Sequence, residues 1–98
     1  LKITEKMDSN AQAYALLGAI HLYEGSIQEG AKALEKAIGL NPTFAEPYNN
    51  LALAYEHLGR PRDAVEAYRN VERYWEGSPG YLEKIREQIR RLEAQNVP

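Results

Sequence analysis

Residues 11–44 read AQAYALLGAIHLYEGSIQEGAKALEKAIGLNPTF, and residues 45–78 follow at once as AEPYNNLALAYEHLGRPRDAVEAYRNVERYWEGS. Placed one above the other, Tyr14 falls on Tyr48, Leu17 on Leu51, Gly25 on Gly59 and Ala33 on Ala67. A fixed period of 34 residues specifies one small unit stacked against its own copy, with no unique central core.

Working outward from the repeat, the punctuation divides the chain into five helical stretches. Ser9 with Gln12 reads as a capping box opening the first, and Ser26 with Glu29 opens the second after a stop at Gly25. Asn41-Pro42 closes the second helix, because the residue before proline avoids helical geometry. Thr43 with Glu46 reads as the box for the third, with Pro47 tolerated in its first turn. Gly59 and Pro61 separate the third helix from the fourth, and Gly77-Ser78-Pro79 caps and starts the fifth. Connections of a few residues make successive helices antiparallel neighbours.

The faces follow from a turn of about 100° per residue. Tyr14, Leu17, Gly18 and His21 share the packing side of the first helix, against Gly30, Leu34 and Ala37 of the second. In the second copy Tyr48, Leu51, Ala52 and Tyr55 face Ala64, Tyr68 and Val71. Glycine inside a helix costs roughly 1 kcal/mol against alanine, so Gly18 and Gly30 imply a close approach of two backbones.

These residues resemble the tetratricopeptide repeat, with its pattern W-x2-L-G-x2-Y…A-x3-F…P over 34 residues. Tyr14, Leu17, Gly18, His21, Gly30, Leu34, Ala37 and Pro42 fill the slots of the first copy. Tyr48, Leu51, Ala52, Tyr55, Ala64, Tyr68 and Val71 fill those of the second. His21 stands where an aromatic is usual, and Glu76 stands where the closing proline would be. The missing proline predicts that the fourth helix runs on through Tyr74 and Trp75. The fold expected is all-α, a solenoid of stacked antiparallel helical hairpins in a TPR-like superhelix.

The organisation expected is a tail of a preceding helix or a linker over residues 1–8, repeats at 11–44 and 45–78, and a C-terminal capping helix at 79–95. Leu82, Ile85, Ile89 and Leu92 form the stripe of that last helix, which would cover the apolar edge of the final repeat. The same spacing is heptad-like, but two heptads are short for a coiled coil. Glu87 and Arg91 are spaced as an i,i+4 pair. The chain begins at Leu1 without a methionine, and three stacked units are normally needed for stability. Both points read as a piece of a longer protein with upstream repeats.

Composition narrows the function class. The formal net charge of −2 is too close to neutral for nucleic-acid or anionic-membrane binding by charge alone. The absence of cysteine excludes disulfides, thiolate metal sites and a cysteine nucleophile. No apolar run approaches the ~20 residues that cross a bilayer. His21 reads as a satisfied core histidine, and His57 has no second ligand at metal spacing. No carboxylate pair stands apart as acid and base, and no phosphate-binding loop is present. These readings predict a chain that is not an enzyme, with no cofactor, no metal and no evident small-molecule substrate.

In the resembled family the first helices of successive repeats line a concave groove that receives a peptide or partner helix. The residues carried onto that groove are Gln12, Ala15, Leu16, Ala19, Leu22 and Tyr23, then Glu46, Asn49, Asn50, Leu53, Glu56 and His57. The apolar first group reads either as an anchor for a ligand or as surface buried against an upstream repeat. Asn49 and Asn50 read either as hydrogen-bonding partners of a peptide backbone or as solvated amides. Chaperone-binding members hold a C-terminal carboxylate with lysine and asparagine, but Ala15 and Ala19 occupy the first such slots, so no clamp of that kind is expected. The function expected is a protein-interaction module for a peptide or helix. The alternative is self-association, or a structural spacer in a larger assembly.

Overall fold

The computed structural model describes the backbone of residues 2–95 and the side chains of residues 10–95. Five helices follow in order: α1 (Lys2–Tyr23), α2 (Ile27–Leu40), α3 (Ala45–His57), α4 (Pro61–Tyr74) and α5 (Pro79–Gln95). Each packs against its neighbours in sequence, and α1 also touches α3, which places the α1–α2 and α3–α4 hairpins side by side as an all-α solenoid.

The hairpin turns are built alike. Gly25 and Gly59 sit at φ +88° and +72°, the left-handed region that glycine enters without a Cβ penalty. In the first turn the Ser26 amide donates to the His21 carbonyl and the Gly25 amide to the Leu22 carbonyl; in the second, Arg60 donates to Tyr55 and Gly59 to Glu56. This paired pattern satisfies carbonyls that the end of a helix would otherwise leave without donors.

Three helix starts differ from the sequence expectation. α1 passes through residue 9 without a break, so no helix opens there; the Ser9 side chain lies outside the described residues. Ser26 occupies the N-cap of α2 but makes no side-chain cap bond. The N-cap of α3 is Phe44, while the Thr43 hydroxyl donates to Asn41 Oδ1 at 3.2 Å. The asparagine thus takes up the hydroxyl that the capping box would have used, and tight neighbour packing holds the helix start without it.

The end of α4 also differs. The helix stops at Tyr74, in register with Leu40 at the end of α2 despite the missing proline, and Trp75 is already extended. The indole supplies the stop. Its ring lies 4.4 Å from Tyr81 between centroids, and its Nε1 donates to the Ser78 carbonyl at 3.1 Å. A Cβ on Gly77 would sit 2.4 Å from the Trp75 ring, so glycine is required where the chain folds over the indole.

Packing follows the repeat. Gly18 and Gly30 bring α1 and α2 together: a Cβ on Gly18 would lie 2.5 Å from Leu34 Cγ and 3.0 Å from the Gly30 carbonyl oxygen. Ala31 and Leu34 of α2 pack on Leu51 and Ala54 of α3, joining one hairpin to the next. Tyr48 reaches back across the same junction and donates to the Pro42 carbonyl at 2.7 Å. Ile85, Ile89 and Leu92 of α5 are buried in one cluster with Tyr48, Ala52, Ala64, Tyr68 and Val71. Arg91 ties this last helix down by bonding Gln88 and Glu56; the expected pairing with Glu87 is not formed. Glu56 stands across the interface and draws the guanidinium away from its own helix.

Candidate functional site

The residues expected to line the groove divide into three groups. Leu16 and Tyr23 lie two turns apart on one face of α1 and are 63% and 94% exposed. On α3, Leu53 is 42% exposed, and Gln12, Glu46 and His57 are also exposed. Asn49, Asn50 and Ala19 are half-buried. The described hydrogen bonds leave the Asn49 and Asn50 amides uncommitted.

Ala15 is buried at 7% exposure and offers almost no surface. Leu22 packs against the Ala31–Leu34 cluster and would lie 2.8 Å from a Cβ at Gly30, so much of its side chain fills the seam between α1 and α2. Glu56 is engaged on both oxygens: Tyr68 Oη donates to Oε2 at 2.8 Å and Arg91 to Oε1 at 2.8 Å. That carboxylate braces α3, α4 and α5 together, which helical periodicity on α3 alone does not reveal.

The tyrosines report the electrostatics of these junctions. Burial pushes the Tyr68 hydroxyl well above the usual tyrosine range, and the bond to Glu56 adds to the effect. Burial likewise raises Tyr55 to about 12, helped by its bond to Glu35 at 3.0 Å. Both phenols are therefore neutral donors to carboxylates.

A second surface emerges that the sequence reading assigned to packing. Tyr14, Leu17, His21, Glu29, Lys32, Ala33 and Lys36 line a groove on the outer flank of α1–α2. The equivalents 34 residues on, from Tyr48 and Leu51 to Asn70, line the matching groove of α3–α4. Leu17 is 42% exposed and Ile20 45%, whereas Leu51 is 5% and Ala54 0% exposed. His21 is not the satisfied core histidine expected: its Nδ1 is buried without a hydrogen-bond partner. Nε2 is left as the ring atom able to meet an incoming group. The unequal burial of Leu17 and Leu51 is invisible in the sequence, because both fill the same repeat slot. Among the described residues no three or more His, Cys, Asp or Glu side chains gather as metal ligands, and no helix is long and apolar enough to cross a membrane.

Stacked helical hairpins with open, partly apolar helix faces define a repeat protein of the kind that binds other proteins. Two sequence models described as tetratricopeptide repeat match the chain, over residues 11–44 and 33–66. The chain belongs to the tetratricopeptide repeat family, whose repeats mediate protein–protein interaction.

Two curated relatives agree with that placement. The small glutamine-rich tetratricopeptide repeat-containing protein 2 of Saccharomyces cerevisiae is 32% identical over 65 residues, covering 66% of this chain and 19% of its own length. The protein O-mannosyl-transferase Tmtc3 of Drosophila melanogaster is 33% identical over 73 residues, covering 74% of this chain and 8% of its own length. This chain therefore spans only a small part of either relative. Among solved structures, two crystal structures of MamA share the fold, with TM-scores of 0.62 and 0.61, each at 24% identity. They cover 90% and 93% of this chain, which covers 59% and 62% of theirs.

Proposed function

We propose that the chain is a non-catalytic binding module that receives a peptide or helix of another protein across α1 and α3. Leu16 and Tyr23 anchor apolar side chains of the partner, Leu53 extends that strip, and Asn49 and Asn50 hydrogen-bond its backbone. The observation that carries this reading is the exposure of Tyr23 and Leu16, two large apolar residues on one helix face that fill no contact within the chain. Burying such side chains yields about 25 cal/mol per Å2 before ordering costs are met, enough for a specific but moderate complex. Glu56 supports the site indirectly by holding α3 against α4 and α5. The transferase named among the relatives is matched over too little of its length to lend this chain its chemistry.

The test is capture of protein partners by the chain and by Leu16→Glu, Tyr23→Glu and Asn50→Ala variants whose helicity and melting are unchanged. Loss of the captured partner in the first two, with a smaller loss in the third, supports the groove. Full retention in all three refutes it.

A further inference from the structure

The outer flank of α1–α2 has a counterpart inside the molecule whose occupant is known. The flank of α3–α4 is covered by α2, which lays Ala31 and Leu34 on Leu51 and Ala54 and accepts the Tyr55 hydroxyl on Glu35. The flank of α1–α2 repeats that surface with Tyr14, Leu17 and Ile20, and with His21 in place of Tyr55. Two changes alter what fits. Ile20 replaces Ala54, so a covering helix must present a small residue there. Lys32 and Lys36 replace Glu66 and Asn70, which turns an acidic border basic; Glu29 is the one carboxylate lining it. Lys36 Nζ lies 5.5 Å from the Tyr14 ring centre and forms no ion pair among the described residues.

We infer that this flank is a second docking surface, distinct from the Leu16–Tyr23 strip, and that its occupant is an amphipathic α-helix with a small-residue apolar stripe bordered by carboxylates. The apolar stripe covers Leu17 and Ile20 as α2 covers Leu51 and Ala54. One carboxylate takes the place of Glu35 and faces His21 Nε2. Others meet Lys32 and Lys36. Opposite charges along the border select this helix over one with the basic character of α2, which carries Lys32 and Lys36 itself.

The probe is a synthetic peptide of residues 26–41 carrying Lys32→Glu and Lys36→Glu, cross-linked on its polar face to hold the helix, since a segment this short is marginally helical alone. The unmodified peptide, cross-linked in the same way, is the control. Amide shift mapping of the full 98-residue chain reads the binding. Saturable shifts are expected at Leu17, Ile20, His21 and Lys32, with the control at least about fivefold weaker, the scale of one exposed charge pair. Leu17→Glu, a half-exposed position, abolishes the shifts, and Lys32→Glu weakens them while leaving the fold intact. Shifts at Leu16 and Tyr23 alone, equal binding of the two peptides, or no shifts at all overturn the assignment. A dimer in sedimentation equilibrium that Leu17→Glu dissolves gives the flank to a second copy of the chain and equally overturns it.

Discussion

Tyr68 Oη lies 2.8 Å from Glu56 Oε2 and donates its proton to that carboxylate, joining the two helices of the second hairpin through their polar edge. Arg91 holds the other Glu56 oxygen, so one side chain links α3, α4 and α5. Tyr68→Phe keeps the buried ring and removes only the hydroxyl. A loss of about 1 kcal/mol is expected in urea denaturation, the net worth of such a bond. Glu56→Gln should cost more, because it weakens the attraction to Arg91 as well.

Alkaline pH should loosen the junction between the hairpins. The Tyr55 phenol titrates at about 12 in the folded chain against an ordinary value of 10.0, first because burial penalises its anion and then because Glu35 lies against it. Its folded pKa is raised, so the unfolded chain releases the proton first as pH climbs. The contribution to stability is complete below pH 10.0 and is lost as pH rises through about 12. Thermal melts from pH 9 upward should show a falling Tm that is blunted in Tyr55→Phe.

Two helical glycines should respond in opposite directions to alanine. Gly18→Ala gains about 1 kcal/mol of helix propensity but drives a methyl to within 2.5 Å of Leu34 Cγ and 3.0 Å of the Gly30 carbonyl oxygen. Overpacking of that kind costs about 1–3 kcal/mol, and backbone is among the atoms that must move. Gly39 has open space on the side where a Cβ would stand. Gly39→Ala should therefore raise stability by about 0.5–1 kcal/mol, and Gly18→Ala should lower it. Chemical denaturation of the two variants side by side decides the matter.

The turn before α5 is set by an indole. Gly77→Ala places a methyl 2.4 Å from the Trp75 ring, so the ring must leave its place beside Tyr81. A loss of about 1–3 kcal/mol is expected, together with a red shift in the emission of the chain's single tryptophan. The same substitution in a Trp75→Leu background should cost clearly less, a coupling that a double-mutant cycle measures.

Much of the architecture was legible in the residues. The 34-residue period, the glycines at the two internal turns and the paired glycines of α1 and α2 act through neighbours close in sequence or one unit away, so they announce helices, turns and packing partners directly. The expected groove was legible only as a direction on α1 and α3. Ala15 and Leu22 point partly into seams, because a helix packed on two sides hides more of its surface than one stripe accounts for. Glu56 looked like a groove residue until α4 and α5 placed Tyr68 and Arg91 against it.

By itself the sequence determined the family, the five helices and their order of stacking, since repeating hydrophobic contacts between adjacent units need no distant information. Tertiary structure alone decided how α4 ends, where Trp75 and Tyr81 substitute for an absent proline, and which repeat slots are covered. Leu17 and Leu51 are the same residue in the same slot, yet one lies open and the other closed. Burial is a property of what stands opposite, and α2 stands opposite only the second of them.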